Sequence, residues 1–347
     1  MVTIQTKIRN PENYLPIRTY EGRGIITASS KKFMFQTLVS LHILRTKGCT
    51  LPIELFYADD DEITEADKVS LELTLDVTCI NVQSVKEFEQ YNARNFSIKA
   101  IALYLSSFSE TIWMDADIIP LVDFEELFEC SHYTEYHHVF FNDIFAYGTE
   151  ENAMTKTTLA FSKSFGVEIE EGTPETDSGM FLLNKNKFHR HFFIINALLN
   201  MDPETYGKVY GDKELYRLSS ALCSNETPFT TVDTNPCLIG KYFRNEKLFC
   251  GNAVLFSIDN KRVCIHMTLH SVDHVDKYNN MWTESFWTHY TTKPVKVQLE
   301  IVQPLNQEIT IKHKYDFKFM KPLDDVLQSV QVLLYTYINK FKNNYLV

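Results

Sequence analysis

The chain has 347 residues, 44% of them hydrophobic, and a formal net charge of −11 from 34 basic and 45 acidic side chains. That length suits one large α/β domain with additions, and the apolar fraction suffices for a sizeable core. The acidic surplus excludes nucleic acid as the main partner, since no basic excess exists to neutralise a phosphate backbone; a nucleotide ligand stays compatible with a metal and a few placed lysines.

The first ten residues are polar, carry Lys7 and Arg9 and lack the apolar centre of a signal peptide. No run of about 18 apolar residues follows, so no membrane span is expected. The expected location is cytoplasmic or soluble, the Golgi lumen entering only if an anchor precedes this chain. Residues 24–28 read as a strand and 32–47 as a helix closing at Gly48, a residue suited to a left-handed cap. A strand at 53–57, the polar turn Asp59-Asp60-Asp61-Glu62, a helix at 64–75 and a strand at 77–82 follow. The spacing of Phe96, Ala100, Leu103 and Tyr104 predicts a helix over 95–108, and then an apolar strand runs up to Asp115. This alternation predicts an α/β fold with a doubly wound, mostly parallel sheet and flanking helices, which binds ligands at the carboxyl ends of its strands. Strands at 138–141, 179–184 and 263–267 and helices at 187–199 and 212–223 come next. The tail alternates at 295–302 and 308–313 around Pro304-Leu305-Asn306, predicting a hairpin, and a helix over 323–341 follows Pro322. The expected organisation is a domain over 1–292 and a small hairpin-plus-helix appendage over 293–347. Cys49, Cys79, Cys130, Cys223, Cys237, Cys250 and Cys264 are scattered without a Cys-x-x-Cys pair and read as reduced core thiols.

The chemistry concentrates at Ile112-Trp113-Met114-Asp115-Ala116-Asp117. Alternation along a strand would put Asp115 and Asp117 on one face, where two like charges at the end of a buried strand require neutralisation. A divalent cation does this and can also hold a phosphorylated substrate. Paired carboxylates also merely end strands, so other features must weigh in. Lys99, near the start of the preceding helix, favours an anion or is a plain surface lysine. Thr176-Asp177-Ser178-Gly179 leads into a strand; Gly179 permits close approach to the backbone and Asp177 can bond sugar hydroxyls, whereas a simple turn explains the same residues. Gly211-Asp212-Lys213 opens a helix, with Asp212 as a cap or first-turn acid. His266-Met267-Thr268-Leu269-His270 ends a strand and offers a third metal ligand, or core histidines bonded to backbone. Asp143 is a site acid or a turn residue, and His137-His138 borders a loop.

Several segments share an order and spacing over roughly residues 22 to 275. They are Arg23-Gly24-Ile25-Ile26, Leu44-Arg45-Thr46-Lys47-Gly48-Cys49-Thr50-Leu51-Pro52-Ile53-Glu54, Ile98-Lys99-Ala100, Ser106-Ser107-Phe108, Asp115-Ala116-Asp117-Ile118-Ile119-Pro120-Leu121-Val122-Asp123, Ser178-Gly179, Asn184-Lys185 and Gly211-Asp212-Lys213. Together they resemble the fungal mannan-type α-1,3- and α-1,2-mannosyltransferases and, more distantly, the glycogenin-like retaining transferases. The resemblance implies a GT-A fold and a hexose, mannose by default, moved with retention from a GDP-mannose or UDP-sugar donor to a glycan acceptor. It implies Mn²⁺, or Mg²⁺, held by Asp115, Asp117 and His266, and Asp177 and Asp212 as catalytic acids near the sugar. Substrate binding falls to Thr27, Ser29, Lys99, Asp115, Ala116, Asp143, Ser178, Gly179, Gly211, Lys213 and His270. The chain departs from the family at Met180, where a polar residue is usual, at Asn142 in place of Pro, and at His270 in place of Lys. Two other readings remain: a haloacid-dehalogenase-type phosphatase with Asp115 as nucleophile, and an inactive protein that binds a sugar nucleotide.

Overall fold

A computed structural model describes residues 3–59, 62–89, 96–146, 153–170, 172–206, 208–209, 211–223, 228–234, 236–243, 248–267, 284–287, 299–300, 309–312, 320–322 and 325–345. In chain order its α-helices are α1 Ile4–Arg9, α2 Met34–Thr46, α3 Glu65–Leu75, α4 Ser97–Leu105, α5 Ser131–Tyr136, α6 Ala153–Ser164, α7 Phe192–Met201, α8 Pro203–Tyr206, α9 Lys213–Cys223 and α10 Asp325–Tyr345. The strands are β1 Arg23–Ala28, β2 Ile53–Tyr57, β3 Val77–Asn81, β4 Glu110–Met114, β5 Ile118–Pro120, β6 His138–Ala146 and β7 Pro174–Asn184, then β8 Cys237–Phe243, β9 Leu248–Ile258, β10 Lys261–His266, β11 Glu284–Trp287, β12 Leu299–Glu300, β13 Ile309–Lys312 and β14 Met320–Pro322. They divide between two compact units, the first made of Met1–Lys31, Leu51–Asp115 and Ser131–Val232, the second of Lys32–Thr50, Ala116–Cys130 and Asp233–Val347.

The first unit is built on a six-stranded sheet in the order β3-β2-β1-β4-β7-β6. Strands β3, β2, β1 and β4 run parallel, whereas β7 is antiparallel to both β4 and β6. This is an α/β fold with a mixed, mostly parallel sheet and flanking helices. The apolar runs of β1, β2 and β4 are buried, as expected for strands covered on both faces. Ile26, Phe56, Trp113, Phe140 and Phe181 join residues of α4, α7 and α9 in one core cluster. Helix α3 starts in a reciprocal capping box between Thr64 and Asp67. Helix α4 is shorter than its apolar spacing predicts, because the Glu54 carboxylate accepts from the backbone N–H of Ser107 at 3.2 Å and from its hydroxyl at 2.6 Å. That bond holds the chain in the extended path leading to β4. Helix α7 likewise begins later than predicted, after a 3₁₀ turn at Lys185–Lys187 and an extended Phe188.

The second unit carries antiparallel strands in the order β12-β13-β9-β8-β11-β14, with β10 pairing both β9 and β5. Helix α2 ends where predicted, with Gly48 at φ +102°. The tail hairpin is present as the pair Leu299↔Ile311 and Glu300↔Thr310, and β13 extends the sheet alongside β9. The terminal helix α10 buries Leu327, Val330, Leu334 and Ile338, one stripe at three- and four-residue spacing. They join Phe35, Val39 and Ile43 of α2 in the unit's core cluster. Cys49, Cys79, Cys130, Cys223, Cys237 and Cys264 are free thiols. No helix among the described residues is long and apolar enough to cross a membrane.

Candidate active site

In the first unit the ammonium of Lys99 is the hub. Its side chain rises from the first turn of α4 into the protein and is 4% exposed. The Nζ donates to Asp115 Oδ2 at 2.9 Å and to the carbonyl and hydroxyl of Ser178 at 2.9 and 3.2 Å, and lies 3.5 Å from Asp212 Oδ2. Burial pushes the lysine pKa down, but Asp115, Asp212 and Asp177 outweigh it and hold the group above the ordinary lysine range. The surface-lysine alternative is thereby overturned. Each carboxylate of the hub is fixed by a second partner: Trp113 Nε1 donates to Asp115 Oδ1 at 2.7 Å, Tyr216 donates to Asp212 Oδ2 at 2.9 Å, and the Gly179 N–H donates to Asp177 Oδ1 at 2.7 Å. Burial, reinforced by Asp212, keeps the Tyr216 phenol far above its usual pKa, so it remains a donor.

The backbone explains how four distant segments meet. Phe140 of β6 pairs with Phe181 of β7, yet the next residue, Phe141, pairs with Asp177. Residues 178–180 of β7 therefore bulge relative to β6, re-aiming the Ser178 carbonyl and hydroxyl at Lys99. The Gly179 carbonyl accepts from the Asp115 N–H at 2.8 Å. Thr176-Asp177-Ser178-Gly179 is thus part of a strand, not a turn ahead of one. Gly211, at φ +72°, directs the chain into α9, and an added Cβ there would meet the Phe96 ring at 3.3 Å.

Next to Asp212, at the first position of α9, Lys213 donates to Asp143 at 2.8 Å and also to Glu175. Those two acids outweigh burial and hold Lys213 above its ordinary pKa, so its charge is balanced within the protein. Asp143 is a strand residue of β6 in this pair rather than a turn acid. Glu214, buried one residue on, has its pKa raised to about 8 by burial, with Arg217 offsetting only part of that.

In the second unit His266 closes β10, with its Nε2 3.5 Å from Asp117 Oδ1, and the Met267 N–H donates to the Asp117 carbonyl at 3.0 Å. The strand-alternation argument for Asp115 and Asp117 does not hold: β4 ends at Met114, and Ala116 and Asp117 form a turn. Thr27 is fully buried in β1, and the Ser29 N–H donates to the Phe56 carbonyl at 3.0 Å; neither is among the groups bonded to Lys99. His138 is the buried first residue of β6, where the sequence also begins a strand. His270 lies outside the described residues. Trp113, Tyr216, Glu175 and Glu214 are site residues that sequence reasoning missed. Only Trp113, two residues before Asp115 in an otherwise apolar strand, carried a signal, since a buried indole N–H needs an acceptor.

Residues 22–164 and 149–271 match the model of the family described as "Mannosyltransferase putative". The chain belongs to this family. Every residue of the hub, together with Asp117 and His266, falls inside the matched segments. The chain is 32% identical over 140 residues to the α-1,2-mannosyltransferase MNN21 of Candida albicans, covering 37% of this chain and 21% of the relative. It is 26% identical over 253 residues to the α-1,2-mannosyltransferase MNN24 of the same organism, covering 61% and 35%. It thus spans between about a fifth and about a third of the length of these curated relatives. Among solved structures it is similar to the galactosyltransferase LgtC in complex with donor and acceptor sugar analogues, at 14% identity and TM-score 0.40, covering 57% of this chain and 70% of that one.

Proposed function

We propose that this chain is a metal-dependent mannosyltransferase that moves mannose from a nucleotide-diphosphate sugar, GDP-mannose by default, to a glycan acceptor with retention. The observation that carries this is the charge balance of the hub. One buried ammonium faces the carboxylates of Asp115, Asp212 and Asp177, leaving two negative charges in excess. Such an excess is costly in a protein interior unless a cation is present. Asp115 and Asp117, one residue apart, and His266 beside Asp117 offer two carboxylate oxygens and an imidazole nitrogen. That donor set fits a divalent ion, and its nitrogen favours Mn²⁺ over the oxygen-seeking Mg²⁺. When bound, the cation would offset the charge of a diphosphate leaving group.

The chain's own residues do the positioning. Lys99 and Trp113 grip opposite oxygens of Asp115, which suits a rigid ligand better than an attacking nucleophile and disfavours the phosphatase reading. Asp212, held by Lys99, Ser178 and Tyr216, and Asp177, held by the Gly179 N–H, would orient sugar hydroxyls and so fix the position of the anomeric carbon relative to the acceptor. The transfer domain is assigned to residues 1–292, with 293–347 as an appendage; the family match ending at residue 271 supports this. The test is to incubate purified chain and Mn²⁺ with GDP-mannose and UDP-sugars, with and without mannooligosaccharides. The expected result is transfer or donor hydrolysis that falls about a hundredfold or more in Asp117→Ala. Absence of turnover, together with no calorimetric binding of GDP or UDP, overturns the reading.

A further inference from the structure

The first unit holds a cavity of about 330 Å³ that shares no residue with the Lys99 hub. Its wall includes Arg217 and Ser220 of α9, Thr173 just before β7, Glu168 and Glu170 ahead of it, and Phe229. The volume lies in the range of small-molecule sites. Arg217 is on the helix whose approach carries Asp212; five residues at 1.5 Å each put it about 7.5 Å further along the axis.

Arg217 is incompletely satisfied. Its guanidinium lies 5.0 Å over the Phe229 ring, and one Nη reaches the Pro174 carbonyl and the Thr176 hydroxyl only at 3.5 Å. Its Nε is buried with no hydrogen-bond partner. A buried donor left unmade is costly and calls for an explanation. The surroundings limit what could supply the acceptor. Glu168 and Glu170 on the same wall repel an anion, and Arg217 repels a cation. The wall combines donors (Arg217, Ser220, Thr173) with acceptors (Glu168, Glu170), and it has apolar surface. A neutral polyhydroxylated ring offers hydroxyls that both give and accept, together with apolar C–H edges.

We propose that this cavity is a subsite for a neutral sugar residue of the acceptor glycan, one or more units away from the residue being extended. This rests on the glycosyl-transfer reading for the word acceptor, but the chemistry of the cavity stands by itself. The site would make the enzyme prefer longer glycans, because an internal residue anchored by Arg217 raises the local concentration of the reacting end.

Two variants test it in the full chain. Arg217→Met removes the donors and keeps the stem. Ala221→Trp fills the cavity from its exposed rim, without removing a polar contact. The probes are α-linked mannooligosaccharides of one to four units. In the wild type the KM should fall about tenfold from the shortest to the longest, the worth of one charge-assisted hydrogen bond. Both variants should flatten that dependence while leaving the donor KM and the monosaccharide kcat/KM within about twofold. Saturation-transfer NMR with the tetrasaccharide and no donor is the independent readout, and Ala221→Trp should remove the internal residues' contribution to its signal. If the wild type turns over no donor but binds the tetrasaccharide in a manner Ala221→Trp removes, the transferase reading fails and the sugar site stands. The subsite is overturned if both variants keep the length dependence, if short and long acceptors suffer equally, or if the wild type shows no tetrasaccharide signal.

Discussion

Replacing Lys99 by methionine tests the hub directly. The substitution keeps the stem's apolar packing and deletes the ammonium that bonds Asp115 and Ser178 and neighbours Asp212. It leaves carboxylates at Asp115, Asp212 and Asp177 without that cation. Breaking a buried pair from one side costs about 3–5 kcal/mol, chiefly because the surviving charge has lost its compensation. At roughly 2 °C per kcal/mol for a chain of this size, the melting temperature in chelator should drop by about 6–10 °C. The second half of the prediction is the sign of the metal effect. A ligand that binds only the folded state stabilises it in proportion to its affinity. With the ammonium gone, the excess negative charge near Asp115 grows, so Mn²⁺ should raise the melting temperature of Lys99→Met by more than it raises that of the wild type. Differential scanning fluorimetry, with and without Mn²⁺, reads both quantities. A variant melting within about 2 °C of the wild type in chelator, or one that gains no more from Mn²⁺ than the wild type gains, would refute the charge argument.

Glu214 makes a pH prediction. Its carboxyl ionises at about 8 in the folded protein against 4.5 ordinarily. Between those values the unfolded chain loses a proton that the folded chain keeps, so folding is disfavoured progressively as pH rises, and the penalty levels off above about 8. At about 1.4 kcal/mol per pH unit the ceiling is roughly 5 kcal/mol. In Glu214→Gln the melting temperature relative to wild type should climb between pH 5 and 8 and then stay level; a flat difference across that window contradicts the assignment. At Gly24 an added Cβ would fall 2.4 Å from the Phe108 ring. Gly24→Ala should therefore cost about 1–3 kcal/mol by overpacking, measured by urea unfolding, and the cost should shrink in a Phe108→Leu background.

The chain order of alternating strands and helices made the parallel half of the first sheet legible, because β1, β2 and β4 announce themselves as short buried runs. The antiparallel insertion of β7 between β4 and β6 was not, since pairing direction depends on partners far away in sequence. The same distinction separates the site residues. Lys99, Asp115, Asp177 and Asp212 stood out as motif members, yet nothing local says that Asp212 lies 3.5 Å from Lys99 across more than a hundred positions. Lys213 counts as a substrate contact by resemblance alone; only the fold shows Asp143 and Glu175 taking up its charge. Glu214 belongs to no motif, and its burial is set by β7 packing on α9.

Helix α9 gives this arrangement its logic. A helix repeats every 3.6 residues, so Asp212, Tyr216 and Ser219 fall near one side while Lys213 and Arg217 fall near another. Tyr216 uses the first relation to brace Asp212, and Ser219 continues inward to Asn196 of α7. The second relation places Lys213 in the Asp143–Glu175 pair and sets Arg217 one turn beyond, on the cavity wall. Because both sets ride on one rigid element, a shift of α9 moves the hub's acid and the cavity's guanidinium together. A substitution that rotates α9, such as filling the space above Gly211 against Phe96, should therefore weaken donor and long-acceptor binding at once. By contrast, plugging the cavity at Ala221 should weaken only the second. Parallel kinetics on Gly211→Ala and Ala221→Trp separate a coupled helix from two independent sites: equal loss of donor affinity in both variants, or none in Gly211→Ala, would contradict the coupling.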